Sequence, residues 1–205
     1  MQTRTYAAGV LAVCDVNGTL CVLMSKDRFD NLWSDLGGRS EAVDRGDPRR
    51  TAMREFDEES CGVVATSAVM QKRIAMAPNI IHKSTRWLTY TMFIVAIPYM
   101  PWIRRSFHNA LAFLKRVHAP PQILEKCDIR YVPFSSLFEL QLKDHFACTL
   151  THYWTELHAH AMAVTGMEPA LRPRNFLPAT YSIDGRVCAD EQVEGDVACA
   201  VDDRR

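Results

Sequence analysis

Apolar residues in this chain come in short runs punctuated by turn residues. Residues 5–15 (TYAAGVLAVCD) and 19–27 (TLCVLMSKD) are two such runs, and Asn17-Gly18 stands between them. That pair suits the positive φ angles of a tight hairpin turn, so the segment predicts a β-hairpin. Residues 86–97 (RWLTYTMFIVAI) carry the strongest strand signal, being rich in β-branched and aromatic side chains. DIRYVPF at 128–134 predicts a further strand, and VVATSAVM (63–70) and RIAMA (73–77) read as two short ones. A different period marks the helices. Pro48 suits a first helical turn with Asp47 as its N-cap; that helix runs to about Ser60, with Gly62 as its C-cap glycine. Residues 104–118 space Phe107, Leu111, Leu114 and Val117 helically, and Pro120-Pro121 ends the pattern. Residues 143–163 form a long amphipathic helix. Strands interleaved with helices predict an α/β (α+β) fold, a mixed sheet covered by helices. After Gly166 come Pro169, Pro173 and Pro178 and then an acidic, weakly patterned stretch, so 167–205 is expected to be an irregular C-terminal extension.

Composition narrows this picture only a little. The 205 residues suffice for one domain with a real core, and 48% of them are apolar, as in a globular protein. Lys plus Arg and Asp plus Glu number 24 each, which argues against broad electrostatic adhesion to nucleic acid or anionic lipid. Seven cysteines, none in a C-x-x-C pair, argue against a zinc ribbon or a dense disulfide framework and for a reducing compartment. AAGVLAVC (7–14) resembles a short secretion signal, but bulky Val13 precedes Cys14 where a small residue is expected, and a strand explains it better. No run approaches the roughly 20 apolar residues of a spanning helix. A cytoplasmic protein without membrane contact is the expectation. His145, His152, His158 and His160 lack convergent acidic or cysteine partners and read as a polar helix surface rather than a metal site.

The charged helix carries the chemistry. At about 100° per residue with Arg54 at zero, Glu58 falls near 40°, Glu55 near 100° and Glu59 near 140°, while Ala52, Ser60, Phe56 and Met53 fall between about 160° and 260°. Phe56 and Ala52 should face the core and the carboxylates outward together. Like charges at such spacing cost roughly 0.2–0.5 kcal/mol per pair, a cost that calls for an offset. Arg54 within the cluster can hold a carboxylate in place, and Gly37-Gly38 just upstream let backbone approach a ligand closely. Several carboxylates and a carbonyl are the donor set that a hard cation such as Mg²⁺ prefers.

GG…REFDEESCG resembles the signature of the Nudix hydrolase family, G-x5-E-x7-R-E-U-x-E-E-x-G-U with U bulky and aliphatic. Gly38 matches its opening glycine, and Arg54-Glu55-Phe56-Asp57-Glu58-Glu59 matches R-E-U-x-E-E. The resemblance implies a Nudix-like α/β/α sandwich over residues 5–163, with a helical insertion at about 103–118. It also implies a Mg²⁺- (or Mn²⁺-) dependent hydrolase that cleaves a diphosphate linkage in a nucleoside-diphosphate derivative. Glu58 and Glu59 are then metal ligands, Glu55 a further ligand or the base, and Arg54 the group that orients it. The Gly37 carbonyl and Glu125, upstream of a late strand, complete the metal site; Gly38 and Arg39 contact substrate.

Three features depart from the signature. Asp44 stands where its first glutamate belongs, nine residues rather than seven separate Asp44 from Arg54, and Ser60-Cys61 fill a single position before Gly62. These changes put in doubt whether Glu41 or Asp44 acts as in the family. They keep open an alternative, a catalytically inactive Nudix-fold module that binds a nucleotide or a protein. Trp33, Phe29, Trp87 and Tyr90 are candidates for stacking on a base, and Lys26 and Arg28 for reaching a phosphate. The expected partner is a nucleotide-type small molecule; RNA is possible but is not indicated by the net charge. Arg104, Arg105, Lys115 and Arg116 form a modest basic patch on the inserted helix, more simply read as a solvated face.

Overall fold

The computed structural model describes residues 5–64, 67–83 and 88–167. The proposed extension after residue 167 and Trp87 lie outside them.

The hairpin forms as expected. Strand β1 (Thr5–Val16) turns into β2 (Thr19–Asp27) through Asn17 (φ 52°) and Gly18 (φ 81°), and Asp15 accepts the Gly18 N–H. Short strands β3 (Trp33–Ser34) and β4 (Leu36–Arg39) follow. Helix α1 (Pro48–Glu59) starts with Pro48 in its first turn and the Asp47 side chain accepting the Arg49 N–H. At its end the left-handed step falls on Cys61 (φ 52°) before Gly62 (φ 68°). Cys61 N–H bonds to the Glu58 carbonyl and Gly62 N–H to that of Asp57, a Schellman closure with Cys61 in the position usually taken by glycine. The extra residue of the signature is absorbed there.

Residues 67–76 overturn an expectation. Instead of strands, Ser67–Met76 form a helix, α2. Met70 and Ile74, four apart, are its buried residues on the core side, while Val69 and Met76 are exposed. The pattern has a helical period, and the Arg73 guanidinium ties the helix to the Ala96 carbonyl. Strands β5 (Asn79–Lys83) and β6 (Leu88–Ala96) come next, then α3 (Ile103–Arg116), β7 (Lys126–Pro133) and α4 (Asp144–Thr165).

The sheet runs β3-β2-β1-β6-β5, with β4 paired to β1 and β7 to β2. β1 and β6 are parallel and the other pairs antiparallel, so the sheet is mixed. It is buried on both faces, which explains why its central strands read as continuous apolar runs rather than alternating ones. Ala8, Val10, Ala12 and Cys14 of β1 pack with Phe56 of α1, Met70 and Ile74 of α2 and Phe107 of α3. Leu11 and Val13 pack instead with Phe146, Leu150 and Leu157 of α4. The result is an α/β/α sandwich, as expected. Among the described residues no helix is long and apolar enough to cross a membrane.

Candidate active site

α1 packs on β1 and β4, and its acids Glu59 and Glu55 reach the β4 glycines Gly37 and Gly38. Gly9 and Gly37 are register partners, and the Tyr90 hydroxyl lies against both, so that a Cβ on Gly37 would stand 2.4 Å from that oxygen and 2.5 Å from the Gly9 Cα. Tyr90 in turn donates to Asp35, which is fully buried and whose carboxyl is pushed up to about 6 by that burial. Gly38 has a different neighbour: a Cβ there would lie 2.6 Å from the Glu55 carboxylate. The double glycine therefore serves two purposes, packing at Gly37 and room for Glu55 at Gly38.

Arg54 organises the acids. Its guanidinium reaches Asp44 at 3.0 Å, Glu55 at 3.0 Å and Glu58 at 3.1 Å, and donates to the Arg39 carbonyl at 2.9 Å; Glu41 stands at 3.7 Å. Asp44 is buried and also accepts from Thr51 and from the Glu41 N–H. Burial alone would raise its carboxyl, but the bonds from Arg54, Glu41 and Thr51 outweigh that and hold it below the usual carboxylate range. The shorter acid thus anchors the arginine despite the longer loop.

The carboxylates do not all face outward together, as the angular reading expected. Glu58 is half-buried, Glu55 more so, and Glu59 has only 4% of its side chain exposed. Glu59 Oε1 meets Lys126 Nζ at 2.9 Å and its Oε2 accepts the Gly37 N–H at 2.8 Å. Burial raises Glu59 to about 8 against the opposing pull of Lys126, and raises Glu55 to about 7 with Arg54 opposing. Burial raises Glu58 as well.

These groups line a pocket of about 550 Å³ shared with Gly37, Gly38, Arg39, Glu125, Lys126, Lys143, His145 and Tyr90. The residues that the sequence assigns to catalysis, metal and phosphate contact beside the double glycine all border it: Arg54, Glu55, Glu58, Glu59, Gly37, Gly38, Arg39 and Glu125. Among the described residues, however, no three Asp, Glu, His or Cys side chains stand close enough to share a metal ion. The donor chemistry of Glu55, Glu58 and Glu125 suits a hard cation, and the charges of Glu58 and Glu125 push the Glu55 carboxyl up; that of Glu59 is committed to Lys126 and Gly37.

Sequence reasoning missed Asp27, Lys126, Lys143 and His145. Asp27 binds Lys143 at 2.7 Å and lies 3.8 Å from Lys126. His145 borders the pocket rather than solvent, and burial, with Lys143 and Lys126 nearby, pushes its imidazole down to about 4. No local pattern marks these four, since they come from β2, β7 and α4. Of the aromatic candidates, Tyr90 borders the pocket beneath the glycines; Trp33 is buried under Arg130, and Phe29 is 75% exposed beside Arg28. Lys26 lies over the Trp33 ring, and neither it nor Arg28 lines the pocket.

No protein-family model matches the chain. No curated protein matches it either. Solved structures do. The NUDIX domain of Shewanella oneidensis NrtR, complexed with ADP ribose, aligns with a TM-score of 0.51 and 14% identity, over 77% of this chain and 90% of that one. A Nudix hydrolase from M. Smegmatis, RenU, aligns with a TM-score of 0.49 and 16% identity, over 78% and 89%. A C. elegans Ap4A hydrolase aligns with a TM-score of 0.46 and 10% identity, over 76% and 98%. The chain has the Nudix fold.

Proposed function

We propose that this chain hydrolyses a diphosphate linkage in a nucleoside-diphosphate derivative, with Mg²⁺ or Mn²⁺ as cofactor. The observation that carries the reading is Arg54, whose guanidinium joins Asp44, Glu55 and Glu58 at the pocket wall formed by Gly37-Gly38. A purely structural arginine has no need of three acids.

Arg54 fixes the Glu55 carboxylate against the Gly38 backbone. With its carboxyl raised to about 7, Glu55 suits the general base that takes a proton from an attacking water near neutral pH. Glu58, Glu125 and the Gly37 carbonyl, with Glu55 as a further ligand where it is not the base, would supply oxygens to a divalent ion, which would have to draw the carboxylates together. When bound, such an ion neutralises phosphate charge and lowers the pKa of a water. Lys143, partly exposed at the pocket, and Arg39 would receive phosphate oxygens. Gly38 has no side chain to stand between the substrate and Glu55.

The test is a screen of ADP-ribose, dinucleoside polyphosphates, nucleoside triphosphates, nucleotide sugars and capped RNA with Mg²⁺ or Mn²⁺, reading phosphate release and product masses. One class should turn over, and Glu58→Gln should lower that rate by on the order of 10² while leaving the melting curve unchanged. A flat result over the whole panel would refute hydrolysis and leave a nucleotide-binding module.

A further inference from the structure

We propose that Lys126 is a built-in cation of this pocket: its ammonium occupies Glu59, so Glu59 is not a ligand for a divalent ion, and divalent ions bind only on the Glu55–Glu58 side. The inference rests on the hydrolase reading for the existence of a divalent ion in this pocket, and it contradicts the role that the signature gives Glu59.

Three observations carry it. First, both Glu59 oxygens are engaged, Oε1 by Lys126 Nζ at 2.9 Å and Oε2 by the Gly37 N–H at 2.8 Å. Second, Lys126 is not a surface side chain that happens to reach inward. It has 4% of its side chain exposed, and its backbone is fixed in β7 opposite Asp27 of β2, beside the register shift between Lys26 and Asp27. The Arg28 N–H bonds to the Glu125 carbonyl and pins the preceding residue. The backbone that carries this ammonium is thus fixed on both sides.

Third, the two sides of the pocket differ in the cations they already hold. Around Glu59 stand two ammonium groups, Lys126 and Lys143, with Asp27 2.7 Å from Lys143 and 3.8 Å from Lys126, and Asp30 3.5 Å from Lys143. Asp35 nearby is bound by the Tyr90 hydroxyl. A divalent ion placed there would meet two ammonium groups. Around Arg54, by contrast, one guanidinium faces Asp44, Glu55 and Glu58, with Glu41 at 3.7 Å and Glu125 in the same pocket. That side retains net negative charge, and a divalent ion completes it. Lys126 therefore does by covalent attachment what a second metal ion would otherwise do at Glu59.

Mn²⁺ is the probe, titrated into the metal-stripped full chain and read as bound ion by electron paramagnetic resonance. Glu59→Gln should bind Mn²⁺ within about threefold of wild type, whereas Glu58→Gln should weaken binding by about tenfold or more. Lys126→Gln should bind an additional Mn²⁺, or bind it about tenfold more tightly, and adding Glu59→Gln should cancel that gain. The two single variants test the idea independently should one of them fail to fold. If Glu59→Gln weakens Mn²⁺ as much as Glu58→Gln does, or if Lys126→Gln gains nothing, the proposal is overturned while metal-assisted hydrolysis stands. If none of the proteins binds Mn²⁺, both fall. If wild type binds none and Lys126→Gln binds it at Glu59, Lys126 is supported as the cation at Glu59, while binding on the Glu55–Glu58 side and the cofactor assignment are both overturned.

Discussion

One methyl group added to Gly37 and, in a second protein, to its neighbour Gly38 separates the fold from the site. At Gly37 the new carbon would stand 2.4 Å from the Tyr90 hydroxyl, 2.5 Å from the Gly9 Cα and 2.9 Å from the Ala8 carbonyl oxygen. Two of these atoms are backbone of the central strand, and a methyl has no rotamer with which to avoid them. Ordinary contact lies roughly 0.9 Å further out, so β1 and β4 must part or Tyr90 must leave Asp35. Overpacking costs about 1–3 kcal/mol, and orphaning the buried Asp35 acid about 1–3 more, so Gly37→Ala should lose about 3 kcal/mol. At Gly38 all three nearest atoms belong to the Glu55 carboxylate, 2.6–2.7 Å away. That group sits at the end of a flexible side chain and can rotate off, so the fold should lose less than about 1 kcal/mol. The carboxylate then leaves its 3.0 Å contact with Arg54. Misplacement of a reacting group by about 1 Å lowers turnover by on the order of 10². Urea unfolding followed by tryptophan fluorescence measures the first effect, and turnover on the best substrate from the screen measures the second. A Gly37→Ala protein within 1 kcal/mol of wild type, or a Gly38→Ala enzyme within threefold of wild-type turnover, would refute the reasoning.

Phe56, fully buried between α1 and the sheet, should cost about 3–5 kcal/mol when replaced by Ala, and Phe56→Asp should not fold; circular dichroism melts decide both. Arg54→Ala should destabilise by about 2–4 kcal/mol because Asp44 is left buried without its counter-charge, and Arg54→Lys should not restore it, lacking the fork that reaches three acids; a urea midpoint well above this expectation would count against the network. His145, depressed to about 4 from an ordinary 6.5, takes up its proton later in the folded protein than in the unfolded chain. Its contribution is therefore complete above 6.5 and lost as pH falls toward 4, so the stability difference between wild type and His145→Gln should shift by on the order of 3 kcal/mol over that window, and a pH-independent difference would exclude the burial.

Much of this protein is written locally. Asn17-Gly18 makes the hairpin because two consecutive positive φ angles are needed there, and Asp47-Pro48 starts α1 because a side-chain acceptor and a fixed φ suit a first turn. Spacing alone also places Arg54, Glu55 and Glu58 on one side of a helix with Phe56 on the other. Where the chain was misread, the deciding partner lies elsewhere. Residues 67–76 carry β-branched and apolar side chains that suit a strand, yet Met70 and Ile74 find the α1 side of the core at helical spacing. Glu59 lies about 140° around α1, next to the buried arc that begins near 160°. An angle that close to the boundary does not say whether water or protein lies beyond. The structure sets Lys126 there, brought by the pairing of β7 with β2, and turns an exposed acid into half of a buried ion pair. Asp27, Lys143 and His145 were unmarked for the same reason: a pocket wall assembled from β2, β7 and α4 is a property of sheet order and helix packing, to which no single stretch of sequence holds the key.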